Sequence, residues 1–314
     1  MKKSFIFPGQ GSQVVGMCKE FYDNFDVVKD VFEEVNTALN KDLKKIMFEG
    51  PEDLLTDTEN AQPAIMTGAI AVLKVLEQET GKKIDELCGA VAGHSLGEYS
   101  ALCASGVFSV SDTAKLLAVR GRAFSDACQK SQCAMVALVG ATIEQAEEVC
   151  EKSRLNSEIL QVANDNTVGQ VVISGNVNSI DRAIEVATEM KIKRAIKLNV
   201  SGAFHSELMQ PAVGAMEEIL SNTLVKNPSV DVIANYTADV ENQNEIKGNL
   251  LKQITSRVRW RETMLNMEAN GIDAFVEIGI SKVLSGMVLK TCPNAKVFTI
   301  NSIENMKQFI ELNK

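Results

Sequence analysis

The sequence predicts an α/β protein with a mainly parallel sheet and an inserted ferredoxin-like unit. Three observations lead there. Short strand-like runs at residues 3–7, 89–93, 230–234, 274–278 and 297–300 alternate with helical periodicity, the rhythm of a parallel sheet covered on both faces. A Gly-x-Ser-x-Gly turn, Gly93-His94-Ser95-Leu96-Gly97, joins one of those runs to a helical pattern. From about Cys128 to Leu198 the rhythm becomes strand, helix, strand, strand, helix, strand, the βαββαβ order of a small independent unit. These readings divide the chain into a core, 1–127 with 199–314, and an insert, 128–198.

Composition narrows the class. The chain has 314 residues, 45% apolar and 23% charged, enough for one large α/β domain carrying an insert. A net charge of −9 and a pI near 5.0 argue against nucleic acid as the main partner, because phosphate binding needs a basic surface. Seven scattered cysteines contain no Cys-x-x-Cys pair and read as reduced thiols of a cytosolic protein, with neither a disulfide frame nor a zinc site expected. The apolar run before Pro8 is too short for a signal peptide, and no run of about 18 apolar residues occurs to span a membrane.

The first strand, 3–7, leads into Phe7-Pro8-Gly9-Gln10-Gly11-Ser12-Gln13. A Rossmann pattern would need glycine at Val14, and no Gly-Lys pair follows as a phosphate loop requires, so both nucleotide readings fail. A plain turn remains, or a loop whose amides closely approach a ligand oxygen. Val27, Val31, Val35 and Ala38, then Ile65, Ala69, Val72 and Leu76, mark two core-facing helices.

The run ending at Gly93 is a buried strand, and the helical pattern starts at Leu96. Glycines flank Ser95 because the backbone turns too sharply there to admit side chains. Such an elbow lifts a serine hydroxyl above the sheet and aims the amides opening the helix at what the serine attacks. Ser95 acting merely as a helix cap is the plainer alternative. If Ser95 needs an imidazole base, the count of two histidines decides the candidate: His94 should point away from the serine, leaving His205.

Ser111 or Asp112 is expected to cap a helix running to about Ala127, with Ala114, Leu117, Gly121 and Phe124 on its apolar stripe. Arg120 falls on that stripe, whereas Arg122 lies on the wet face within reach of Asp126 at i+4. A buried arginine must find an anion, either an internal carboxylate or a carboxylate of the substrate. Periodicity leaves both open.

In the insert, strands are expected at 134–139, 159–163, 170–174 and 194–200, and helices at 143–152 and 179–190. Lys191, Lys193, Arg194 and Lys197 form the main basic cluster; a solvated strand edge is the plain reading and a docking surface for an acidic partner the sharper one. His205 follows in the loop 200–206, just before a helix carrying Met209, Val213, Met216 and Leu220.

Six segments in order carry a family resemblance: Phe7-Pro8-Gly9-Gln10-Gly11-Ser12-Gln13, Gln62-Pro63-Ala64, Gly93-His94-Ser95-Leu96-Gly97-Glu98, Arg120-Gly121-Arg122, Gly169-Gln170-Val171-Val172-Ile173-Ser174-Gly175 and Phe204-His205-Ser206. Together they resemble the malonyl-CoA:acyl carrier protein transacylases of bacterial fatty acid synthesis, from the first strand to about Leu284. The resemblance implies an α/β-hydrolase-like core with a ferredoxin-like insert. It implies Ser95 as nucleophile, His205 as base, the Gln10 and Leu96 amides as oxyanion hole, Arg120 as the anchor of the malonyl carboxylate, and the Gln253 backbone carbonyl orienting His205. It also implies no metal and no cofactor, a coenzyme A thioester as substrate, an acyl carrier protein as partner, a monomer, and a cytoplasmic setting. A sister acyltransferase of polyketide or polyunsaturated lipid synthesis, or a serine hydrolase, would share the elbow. The chain departs from the family at Arg257, where proline is usual, and at Ile280-Ser281, where Pro-Gly is usual.

Overall fold

The computed structural model describes residues 1–129, 132–198, 200 and 202–313. Five parallel strands form the larger sheet: β1 (Lys3–Phe7), β2 (Ala90–Gly93), β7 (Asp231–Ile233), β8 (Ala274–Ile278) and β9 (Lys296–Ile300), in the order β7-β2-β1-β8-β9. The intervening strands β3 (Cys133–Val139), β4 (Leu160–Thr167), β5 (Gln170–Asn176) and β6 (Arg194–Lys197) form an antiparallel sheet in the order β4-β5-β3-β6. Asn199, within the strand expected at 194–200, and Ser201, in the loop before His205, lie outside the described residues.

Period-two alternation turns successive side chains to opposite faces, and in β2 and β8 every residue is buried. Phe5 and Phe7 face the helix Thr58–Thr80 side of the sheet, while Ile6 faces a second cluster around Trp260, Met264 and Phe275. Both faces are therefore dry, and each fully buried large apolar side chain contributes about 1.5–3 kcal/mol.

The antiparallel sheet is two-sided in a different way. Val136, Leu138 and Ile173 pack on the helices Ile143–Ser153 and Val177–Glu189. Met135, Ala137 and Val172, one residue out of phase, turn instead to the main body. Register shifts in β4 at Val162/Asn164 and Asp165/Thr167 re-aim its end, as bulges do. There β4 is tied to the body by Asp165 N–H to the Val258 carbonyl (2.9 Å) and by Arg261, which holds the Asp165 carboxylate through two nitrogens. β6 is one of the sheet's two edge strands, exposing Arg194 and Lys197, the latter paired with Asp181 at 3.3 Å.

Two expectations are corrected. The helix Val110–Gln129 begins under Ser109, whose Oγ accepts the Asp112 N–H (3.0 Å); Ser111 instead donates to Glu34 from the next helix layer. Arg122 pairs with Glu59 at 2.7 Å and not with Asp126, because a neighbouring helix offers a carboxylate on the same side. On the helix Asp26–Leu39, Val27, Val31, Val35 and Ala38 do face the core as expected, and Val28 and Phe32 join them as buried neighbours. Among the described residues no helix is long and apolar enough to cross a membrane.

Candidate active site

Register brings Phe7 of β1 beside Gly93 of β2, so the two loops leaving these strands share one end of the sheet. The glycines of the elbow are forced by close approach. A Cβ on Gly93 would sit 1.8 Å from the Gly97 carbonyl oxygen, and one on Gly97 would sit 2.3 Å from that of Phe7. Between them Ser95 takes a left-handed φ of 55°, a conformation costly for a side-chain-bearing residue. Asn235, just beyond β7, clamps the turn: its Oδ1 accepts the Ser95 N–H at 2.7 Å and its Nδ2 donates to the Gly93 carbonyl at 2.7 Å.

Ser95 Oγ lies 2.7 Å from His205 Nε2, across 110 residues of sequence. His205 also has a left-handed φ, 58°, and its Nδ1–H donates to the backbone carbonyl of Gln253 at 2.8 Å. That bond leaves Nε2 free to accept the serine proton. Burial first, and then the positive charge of Arg120, pull the His205 pKa down to about 3, so the imidazole is neutral.

Arg120 is 1% exposed and has no carboxylate partner among the described residues. Its Nη1 donates to Gln62 Oε1 (2.8 Å) and its Nη2 to Gln253 Oε1 (3.0 Å) and Ser95 Oγ (3.1 Å). The guanidinium lies against the Phe124 ring, 4.3 Å from its centre. A cation held only by neutral groups is under-compensated, and burial lowers its pKa.

These groups open on a cavity of about 270 Å³ lined by Gln10, Phe124, Met135, Val172, Phe204 and Val283, among others. The out-of-phase face of the antiparallel sheet is its roof. The backbone N–H groups of Gln10 and Leu96 have no hydrogen-bond partner among the described residues. His94 points elsewhere, to Asn166 Oδ1 at 2.7 Å, with its ring edge-on to Trp260. Ser281, one of the two departures, lines the cavity, and its Oγ accepts the Val283 N–H; Arg257, the other, pairs with Glu147 at the surface. Among the described residues no group of three or more His, Cys, Asp or Glu could hold a metal ion.

The structure thus brings together Ser95, His205, Arg120, Gln10 and Gln253. Sequence reasoning missed Asn235, the Glu98 carboxylate behind it, and the Gln62 and Gln253 side chains on Arg120. Gln62 stood inside a quoted motif, while Asn235 carried no local signal.

Fold and site define an acyl transferase. The acyl transferase domain model matches residues 4–309, and the chain belongs to that family. Within it, the chain is 41% identical over 311 residues to the malonyl CoA-acyl carrier protein transacylase of Bacillus subtilis, covering 99% of this chain and 96% of that one. It is 33% identical to the enzyme of the same name from Escherichia coli, covering 98% and 99%. The crystal structure of acyl-carrier-protein-S-malonyltransferase from Bartonella henselae superposes with a TM-score of 0.95 at 44% identity, with 99% of each chain covered. A malonyl-transacylase solved in complex with its type II PKS acyl-carrier protein superposes at 0.95, with 31% identity and full coverage of both chains.

Proposed function

We propose that this protein transfers malonyl from coenzyme A to the phosphopantetheine thiol of an acyl carrier protein, through a malonyl ester on Ser95. The observation that carries the proposal is one atom, Ser95 Oγ, held at once by a neutral imidazole and by a buried arginine lacking a carboxylate. The first makes a nucleophile; the second selects a dicarboxylic acyl group.

His205 takes the Ser95 proton as Oγ attacks the thioester carbonyl. The Gln10 and Leu96 amides receive the oxyanion, each donor contributing about 3–4 kcal/mol to the transition state. The His205 imidazolium then protonates the departing coenzyme A sulfur, and the carrier's thiol repeats the cycle in reverse on the malonyl ester. The Gln253 carbonyl holds the imidazole in the productive tautomer. Arg120 exchanges its bond to Ser95 Oγ for the malonyl carboxylate. Neither metal nor cofactor takes part in this scheme.

In this reading residues 1–127 and 199–314 are an α/β-hydrolase-like core, and 128–198 a ferredoxin-like subdomain. The strand order β4-β5-β3-β6 of the smaller sheet and the elbow after β2 support those assignments. A monomer and a cytoplasmic setting belong to this reading, the latter suiting seven reduced cysteines. The carrier serves fatty acid synthesis in this reading; the relative solved with a polyketide carrier keeps a polyketide pathway as the alternative.

Intact-mass spectrometry after mixing with malonyl-CoA tests the core of this. The native chain should gain one malonyl group and Ser95→Ala none, and a pantetheine thiol should discharge it. A native chain that stays unmodified, or that releases free malonate faster than it loads the carrier, would refute transfer.

A further inference from the structure

Glu98 is the second residue of the helix Gly97–Ala104, fully buried behind the elbow, and the chemistry above gives it no task. Its Oε2 accepts two hydrogen bonds, from Gln253 Nε2 at 2.6 Å and from the Asn235 backbone N–H at 3.1 Å. Gln253 Nε2 spends its other hydrogen on the Ser95 carbonyl at 3.0 Å. Its Oε1 is thereby turned to Arg120 Nη2 at 3.0 Å. The two ends of a glutamine amide have nearly the same shape, so partner chemistry must choose between the two orientations. Glu98 Oε2 and the Ser95 carbonyl both accept here, and Arg120 only donates. A flipped amide would press an NH2 group on a guanidinium and an oxygen on two acceptors.

Resting on the transacylase reading, we propose that Glu98 is a positioning residue for substrate selection. It fixes the Gln253 amide so that an acceptor always faces Arg120, and through Asn235 it braces the strained turn of Ser95. It touches no reacting atom. The acceptor does not need to be charged. Burial, and then the neighbouring Glu241, push the Glu98 carboxyl up to about 8, so it is mostly protonated near neutrality, with Oε2 still able to accept. A glutamine at this position presents a carbonyl oxygen in the same place.

The test is the single-turnover rate of Ser95 acylation by malonyl-CoA and by acetyl-CoA, followed by quenched intact mass. Glu98→Gln should keep the malonyl-to-acetyl ratio within about twofold of native, and Glu98→Leu should lower it about tenfold, chiefly through the malonyl-CoA KM. A Glu98→Leu protein with native Tm and native ratio overturns the proposal, as does a variant slowed equally toward both thioesters. If Glu98→Leu does not fold, Gln253→Leu decides: it keeps the backbone carbonyl for His205 and removes only the side-chain amide, so an unchanged ratio again overturns it. A native chain that takes up no malonyl would instead refute the transacylase reading, which separates the two failures.

Discussion

Arg120 Nη2 lies 3.1 Å from Ser95 Oγ, so before substrate arrives the guanidinium rests on the nucleophile itself. In the proposed mechanism malonyl draws it away through its free carboxylate. Acetyl cannot. Arg120→Ala should therefore lower acylation by malonyl-CoA about a hundredfold, the scale of truncating a buried charge-assisted contact, while acetyl-CoA still loads Ser95. Competition between the two thioesters, read by mass on Ser95, measures it; an unchanged preference would remove Arg120 from the selecting role.

The same arginine acts on His205 at a distance. Burial is the larger cause of the low His205 pKa and the Arg120 charge the next. In the proposed mechanism acylation needs neutral imidazole, so it should fail as pH drops through the His205 pKa. Removing the positive charge raises that pKa, and the acid limb of the rate profile should move to higher pH in Arg120→Ala. Acetyl-CoA is the right probe, because its loading does not depend on the carboxylate contact. A limb that stays in place would show that burial alone sets the base.

Much of this arrangement was legible in the letters, for identifiable reasons. The strand 90–93 is a contiguous run of small apolar residues because both sheet faces are covered, and that pattern is local. The candidate Ser95–His205 pair needed only a motif and a count of two histidines. What escaped was contact between elements. Asn235 reaches the elbow because β7 pairs with β2, which no spacing in the chain announces. Arg122 met Glu59 across a helix interface where an i,i+4 rule looked only along its own helix. The Gln253 side chain was passed over since family likeness pointed to its backbone.

Glycine substitutions separate close approach from mere flexibility. A Cβ at position 97 would meet two backbone oxygens, of Phe7 at 2.3 Å and of Pro8 at 2.8 Å, so β1 and the elbow would have to part. Gly97→Ala should cost about 3 kcal/mol, seen as a clear fall in Tm. Gly214, within the helix Gln210–Ser221, has nothing within 4 Å of such a Cβ. Gly214→Ala should raise stability by about 0.5–1 kcal/mol. Equal effects at the two sites would contradict the packing argument.

The buried Glu98 carboxyl also predicts how stability changes with pH. Its ordinary value of 4.5 in the unfolded chain rises to about 8 in the folded one, so between these values the folded state binds more protons. Stability from this group is full below about pH 4.5 and is lost as pH climbs through about 8. His205 works in the opposite direction and in a lower window. With its pKa depressed from 6.5 to about 3, the unfolded chain binds the extra proton there, and stability falls as pH drops below 6.5. The two slopes overlap between about pH 4.5 and 6.5, and above that Glu98 acts with Glu241, whose pKa is itself pushed to about 7 by burial. Glu98→Gln removes the larger alkaline slope. Its Tm should therefore decline less than that of the native chain between pH 6.5 and pH 8.5, measured at matched ionic strength. Parallel curves for the two proteins would mean that Glu98 is ionised in the folded state throughout that range.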